Sequence, residues 1–147
     1  MEEEQDIQSD IVKRDQLLDA QKNAPKDKAI KASGKAHKAG NFDEAERVYR
    51  SIFQKYPNHT DANHNLGLLS VHTGKAREGL LFFENAINSN PTVPTYWLSL
   101  LNTLISLKEF QVARDILKQA NAMGHKSKSF TKIEHVLEAP EYRDSTE

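Results

Sequence analysis

Apolar side chains recur along most of this chain at three- and four-residue intervals, in blocks broken by Gly or Pro, the pattern of amphipathic helices. The clearest block is TDANHNLGLLSVHTGKAREGLLFFENAINSNP, from Thr60 to Pro91. It predicts one helix from Asp61 to Thr73, with Thr60 as N-cap. A turn follows at Gly74, then a second helix from Ala76 to Ser89 with Leu80, Phe83, Ala86 and Ile87 facing inward. Asn90-Pro91 closes it, because the residue before proline is driven out of the α region. On the N-terminal side the same pattern predicts a helix from Asp27 to Ala39, broken at Gly40-Asn41. A second helix opens at Asp43 and Glu44 and carries Ala45, Val48, Tyr49, Ile52 and Phe53 before Tyr56-Pro57. On the C-terminal side it predicts helices from Thr95 to Leu107 (Trp97, Leu100, Leu101 and Leu104 inward) and from Phe110 to Ala122. The inward face of the latter is Phe110, Ala113, Ile116, Leu117 and Ala120. A last helix is expected from Ser129 to Glu138, on Phe130, Ile133 and Leu137.

Pro57 and Pro91 stand 34 residues apart, and the helix pairs around them share one phase. In the middle unit the recurring positions are Asn63, Leu66, Gly67, Gly79, Phe83, Ala86 and Pro91. The first unit supplies Ala29, Ala32, Ser33, Ala36, Ala45, Tyr49, Ile52 and Pro57. The third supplies Trp97, Leu100, Leu101, Leu104, Ala113, Leu117 and Ala120. A 34-residue helix-turn-helix unit of this kind resembles the tetratricopeptide repeat. The resemblance implies an all-α fold, an α-solenoid of antiparallel helix hairpins coiled into a right-handed superhelix. It implies three repeats, 26–59, 60–93 and 94–127, then a capping helix over 128–139 and a polar tail over 140–147. There are departures. The first repeat has only small residues on its first helix, Ser70 replaces the family's tyrosine, and Leu101 fills a small-residue position, which should push its helices apart. Gly124 stands one residue early for the closing proline. Gly67, Ser33, Gly79 and Ala45 are expected where helix axes approach closely. Glu134 occupies a small-residue position on the last helix, so that helix is read as a cap, the alternative being a cut from a longer parent chain.

Residues 1–25 differ. Glu2, Glu3, Glu4, Asp6, Asp10, Asp15 and Asp19 outnumber Lys13 and Arg14, with Ile7, Ile11 and Leu18 on one stripe. The segment is either an amphipathic helix from Asp6 to Lys22 or an acidic tail. Its stripe would pair with a second copy or cover the open face of the first repeat.

The 147-residue chain has a formal net charge of -1, so no overall field favours nucleic acid or a membrane. It has no cysteine, which removes disulfides and thiol chemistry, and the acidic start is not a signal peptide. A cytoplasmic, non-enzymatic protein without cofactor or metal is expected. The histidines are His37, His59, His64, His72, His125 and His135. His64 and His72 are eight residues apart, too far for one metal, and no catalytic or phosphate-binding motif appears.

The resemblance implies a concave groove lined by the first helices that holds a peptide or protein segment. The peptide-groove positions are His37, Lys38, His64, Asn65, Leu68, His72, Leu98, Asn102 and Ile105, with Ile30, Gly34, Asp61, Val71 and Ser106 alongside. Ile30, Gly34 and Thr95 stand where a clamp for chaperone C-termini needs polar side chains, so that ligand is not expected. Lys28, Lys31, Lys35 and Lys38 form a second stripe, read as a solvated face. The alternative is the N-terminal repeat region of a larger bacterial glycosyl- or sulfotransferase.

Overall fold

A computed structural model describes Asp10, Lys13 and residues 27–142. The expected helix from Asp6 to Lys22 and the end of the polar tail lie outside the described residues. The described chain is a run of antiparallel helices without a strand: α1 over 27–38, α2 Phe42–Lys55, α3 Thr60–His72, α4 Ala76–Ser89, α5 Pro94–Ser106, α6 Phe110–Ala122 and α7 Lys128–Glu138. A single 3-10 turn, Pro140–Tyr142, follows α7. From α2 to α7 each helix packs on its sequence neighbours, and α5 also touches α3 and α7. The architecture is an α-solenoid.

The hairpin turns repeat with the sequence. Gly40, Gly74 and Lys108 are successive members of one 34-residue series, and all three take positive φ (84°, 81° and 62°). In each, the next residue's N–H reaches back to close the helix end: Asn41 to Ala36 O, Lys75 to Ser70 O and Glu109 to Leu104 O, at 2.8, 2.7 and 2.9 Å. This closure satisfies carbonyls that a helix end otherwise leaves open. The left-handed conformation is free for glycine and costs roughly 1–2 kcal/mol for a residue bearing a Cβ. Lys108 therefore sits in a glycine's place.

The start of α3 differs from expectation. Thr60 is its first helical residue, and the cap is His59, whose Nδ1 accepts from Ala62 N–H at 3.2 Å. One turn further in, Asn63 Nδ2–H donates to Pro57 O at 2.8 Å. Trp97, its 34-residue counterpart, donates from Nε1–H to Pro91 O at 2.8 Å. A large side chain at this position thus ties the starts of α3 and α5 to the proline carbonyls before them. Ala29, the first-hairpin counterpart, has no donor there.

The α3–α4 pair is the tightest in the molecule. A Cβ on Gly67 would lie 2.4 Å from the Phe83 ring, and one on Gly79 would lie 2.9 Å from Gly67 O. Gly79 is there because it meets the Gly67 backbone, and Gly67 because the Phe83 ring lies on it. In the third hairpin Leu101 is fully buried at Gly67's position, and α5 and α6 contact one another less extensively than α3 and α4. The buried side chains form two clusters on either side of this seam. Ala45, Tyr49, Leu66, Leu69 and Phe82 make the smaller one. The larger runs from Phe83 and Ile87 through Trp97, Leu100, Leu101 and Leu117 to Phe130, Ile133 and Leu137. Adjacent residues of α4, Phe82 and Phe83, thus serve different clusters.

At the C-terminal end α7 buries Phe130, Ile133 and Leu137 and leaves Glu134 exposed. His125, not Gly124, takes the register of Pro57 and Pro91. Its Nε2–H donates to Pro91 O at 2.9 Å and its ring stacks on Phe130. Arg114 of α6 donates to Leu137 O and Tyr142 O at 3.1 and 2.6 Å, and Tyr142 packs on Phe110.

Gly67→Ala should lower the unfolding free energy by about 1–3 kcal/mol through overpacking, whereas Gly34→Ala should be neutral or stabilise by up to ~1 kcal/mol. The contrast follows from space: the nearest atom to a Gly34 Cβ is Tyr49 Oη at 3.9 Å. Urea titration of both variants checks it, and equal effects would contradict the backbone seam. Lys108→Gly should stabilise by about 0.5–1 kcal/mol, the left-handed strain less the extra entropy of glycine. Thermal melts will show whether the gain is there.

Candidate functional site

The inner surface is built from α1, α3, α5 and α7. The first three inner helices are linked by polar side chains 35 residues apart. His37 Nε2 and His72 Nδ1 are 2.7 Å apart, linking α1 to α3. Tyr96 Oη–H donates to Asp61 Oδ1 at 3.0 Å, and His64 Nε2 meets Ser99 Oγ at 2.8 Å, both linking α3 to α5. The His37–His72 contact needs one ring to donate and the other to accept, so the facing nitrogens hold one proton between them.

The expected groove residues divide into three groups. His64 is buried, 9% exposed, and lies against Phe83 and Tyr96. It cements α3 to α5 and presents little to a ligand, which departs from its placement in the groove. His37 and His72 stand at the α1–α3 end, His37 half-buried beside Phe42 and His72 exposed, with Lys38 exposed next to them. Asn65 is half-buried on α3. Leu68, Leu98 and Ile105 are half-buried against the larger core cluster, and Asn102 is exposed among them.

Leu98, Asn102 and Ile105 meet at a cleft of about 370 Å³ whose other wall is Ser129, Lys132, Ile133 and Val136 of α7. The α7 wall was not expected. Ser129, Lys132 and Val136 stand 34 residues after Thr95, Leu98 and Asn102, so the repeat register was the signal that could have found them. Among the described residues, Lys132 is the one charged side chain lining the cleft. Among the described residues, no group of three or more His, Cys, Asp or Glu stands together as a metal site, and no helix is long and apolar enough to cross a membrane. The Lys28, Lys31, Lys35 and Lys38 side chains are exposed.

Burial holds His64 below its ordinary value of 6.5, and the nearby Asp61 carboxylate offsets this only in part. Burial also lowers His37, with the His72 ring adding to it. Both histidines therefore take up a proton more readily in the unfolded chain. Stability contributed by the neutral folded rings is present above 6.5 and is lost as pH falls through that value, levelling off below the depressed folded values. The melting temperature should drop between about pH 7.5 and pH 5.5, and His64→Gln should flatten that slope. Calorimetry across the range measures it, and an unchanged slope in the variant would refute the assignment.

No protein-family model matches the chain. Solved structures do. The type III secretion translocator chaperone SycD of Yersinia enterocolitica aligns with a TM-score of 0.65 at 14% identity, over 76% of this chain and 80% of that one. The first tetratricopeptide-repeat domain of Spaghetti (RPAP3), solved with the HSP90 peptide SRMEEVD, aligns at 0.64 and 16% identity, over 76% and 91%. The O-GlcNAc transferase of Thermobaculum terrenum aligns at 0.57 and 24% identity, over 65% of this chain but 19% of that one. These likenesses show that the chain has the tetratricopeptide-repeat fold.

Proposed function

We propose that this chain is a non-catalytic interaction scaffold that holds a peptide or protein segment along the inner faces of α3, α5 and α7. The observation that carries the reading is the cleft between α5 and α7. It has apolar walls (Leu98, Ile105, Ile133, Val136), an amide at Asn102 and one cation at Lys132. Apolar walls with a few fixed polar groups suit a side chain of an extended segment, with the amide and the ammonium setting its orientation. A neighbour of the same fold, the Spaghetti domain, was solved holding a peptide, which supports the same use here. The ligand chemistry differs from an acidic chaperone tail, since Ile30, Gly34 and Thr95 supply neither the lysine nor the asparagine that a carboxylate clamp needs.

His72→Glu combined with Asn102→Ala should abolish capture of the partner in pull-downs from native lysate while the helical circular dichroism is unchanged. A Lys118→Glu control on the exposed side of α6 should capture normally. Full capture by the double variant would count against the groove.

A second reading rests on the alignment to a fifth of the Thermobaculum transferase: the chain would be the repeat region of a larger glycosyl- or sulfotransferase, with the groove steering its acceptor protein. Sequencing the genomic reading frame around this segment decides between them, a downstream transferase domain favouring the second.

A further inference from the structure

We propose that His37 and His72 form a two-imidazole site for zinc, or another divalent late transition-metal ion, and that the bound ion clamps α1 to α3. Neither residue lines the α5–α7 cleft, so the proposal stands without the groove reading.

The two rings already meet. His37 Nε2 and His72 Nδ1 face each other at 2.7 Å across the two helices, at the surface. Zinc holds imidazole nitrogen at about 2.0–2.1 Å in tetrahedral geometry, which sets two such nitrogens about 3.3 Å apart. Opening the contact by about 0.6 Å admits the ion, a shift that small side-chain rotations supply. Phe42 meets His37 edge-on and limits where that ring can go.

This link differs in kind from the other two between inner helices. Tyr96–Asp61 and His64–Ser99 each join a hydroxyl to an acceptor. His37 and His72 are two imidazoles, and a neutral imidazole has one N–H and one lone pair. A hydrogen bond between exposed rings competes with water and contributes little. A metal ion uses both facing nitrogens, and imidazole suits zinc, copper and nickel. The proton held between them moves to the far nitrogen of the ring that carried it, so both rings stay neutral.

The ion's charge is also accommodated. His37 stands in the last turn of α1 and His72 in the last turn of α3. A helix C-terminus carries roughly half a negative charge, so a cation here is favoured by both helices. Lys38 is exposed, and its long stem keeps the ammonium in solvent. Among the described residues no third His, Cys, Asp or Glu joins the pair, so the remaining coordination positions fall to water. Comparing histidines along one helix missed the site, because its rings come from two helices.

A clamp matters most at α1. Ala29 stands where Asn63 and Trp97 donate to a proline carbonyl, and α1 meets the smaller core cluster through the partly buried Ala36. An ion bound only by the docked helix stabilises that docking by mass action.

Zinc chloride titrated into the full chain by calorimetry should reveal one site that needs both rings. His37→Gln and His72→Gln should each weaken it at least about tenfold, because the second imidazole acts at high effective concentration once the first is bound. His135→Gln, at an exposed position on α7, should bind as the parent does. In the unsubstituted chain, zinc should move the ring nitrogen resonances of His37 and His72 and leave those of His64 in place. Zinc at about ten times its dissociation constant should slow amide exchange in α1 about tenfold, and the His72→Gln variant should lose that protection. Unchanged affinity in either of the His37 and His72 variants overturns the proposal. So does zinc that binds only between two chains in sedimentation, or exchange in α1 that zinc leaves untouched.

Discussion

The close approach of α3 and α4 sets the shape of everything else. Gly67 lies under the Phe83 ring and its carbonyl faces Gly79, so the helices touch through backbone where other pairs touch through side chains. Helix separation follows the size of the residues at the crossing. With no Cβ at either position, the Phe83 ring folds over Gly67 into the larger cluster while Phe82 turns to the smaller. The seam therefore both joins the central hairpin and divides the core.

From that seam the chain propagates by repetition. The same turn closes at Gly40, Gly74 and Lys108, and equivalent proline carbonyls accept from Asn63 (Pro57 O) and from Trp97 (Pro91 O). Polar pairs 35 residues apart then fix α1 against α3 and α3 against α5. These links are short-range, as in solenoids generally, where each unit contacts only its neighbours. The candidate groove is a by-product of this arrangement: it is the face of α3, α5 and α7 whose side chains neither enter the core nor join one helix to the next.

Helix order and the glycine seam were legible in the sequence because period and residue size report on them directly. Gly67 and Gly79 could be placed at a close approach from their small size alone. The histidines were not legible. His64 and Leu98 occupy equivalent positions, yet His64 is buried because Ser99 and Tyr96 rise from the next helix to meet it, and that encounter has no signature along the chain. His59 as a cap is a similar case, a ring nitrogen standing in for the usual hydroxyl. The α7 wall of the cleft was readable in principle. Its positions Ser129, Lys132 and Val136 follow Thr95, Leu98 and Asn102 by one 34-residue period.

The division of the core has a further consequence, for the order in which the molecule comes apart. The smaller cluster holds α2 against α3 and α4 through Tyr49, Leu66, Leu69 and Phe82, while the larger holds α4 to α7 without α1 or α2. Cooperative opening units follow contiguous packing. The first hairpin can thus detach as one unit, breaking the His37–His72 contact, while the α5–α7 cleft keeps both walls. Amide exchange should accordingly be graded along the chain, fastest in α1 and slowest around Leu100 and Leu101, so the solenoid frays from one end and its cleft belongs to the part that stays folded longest.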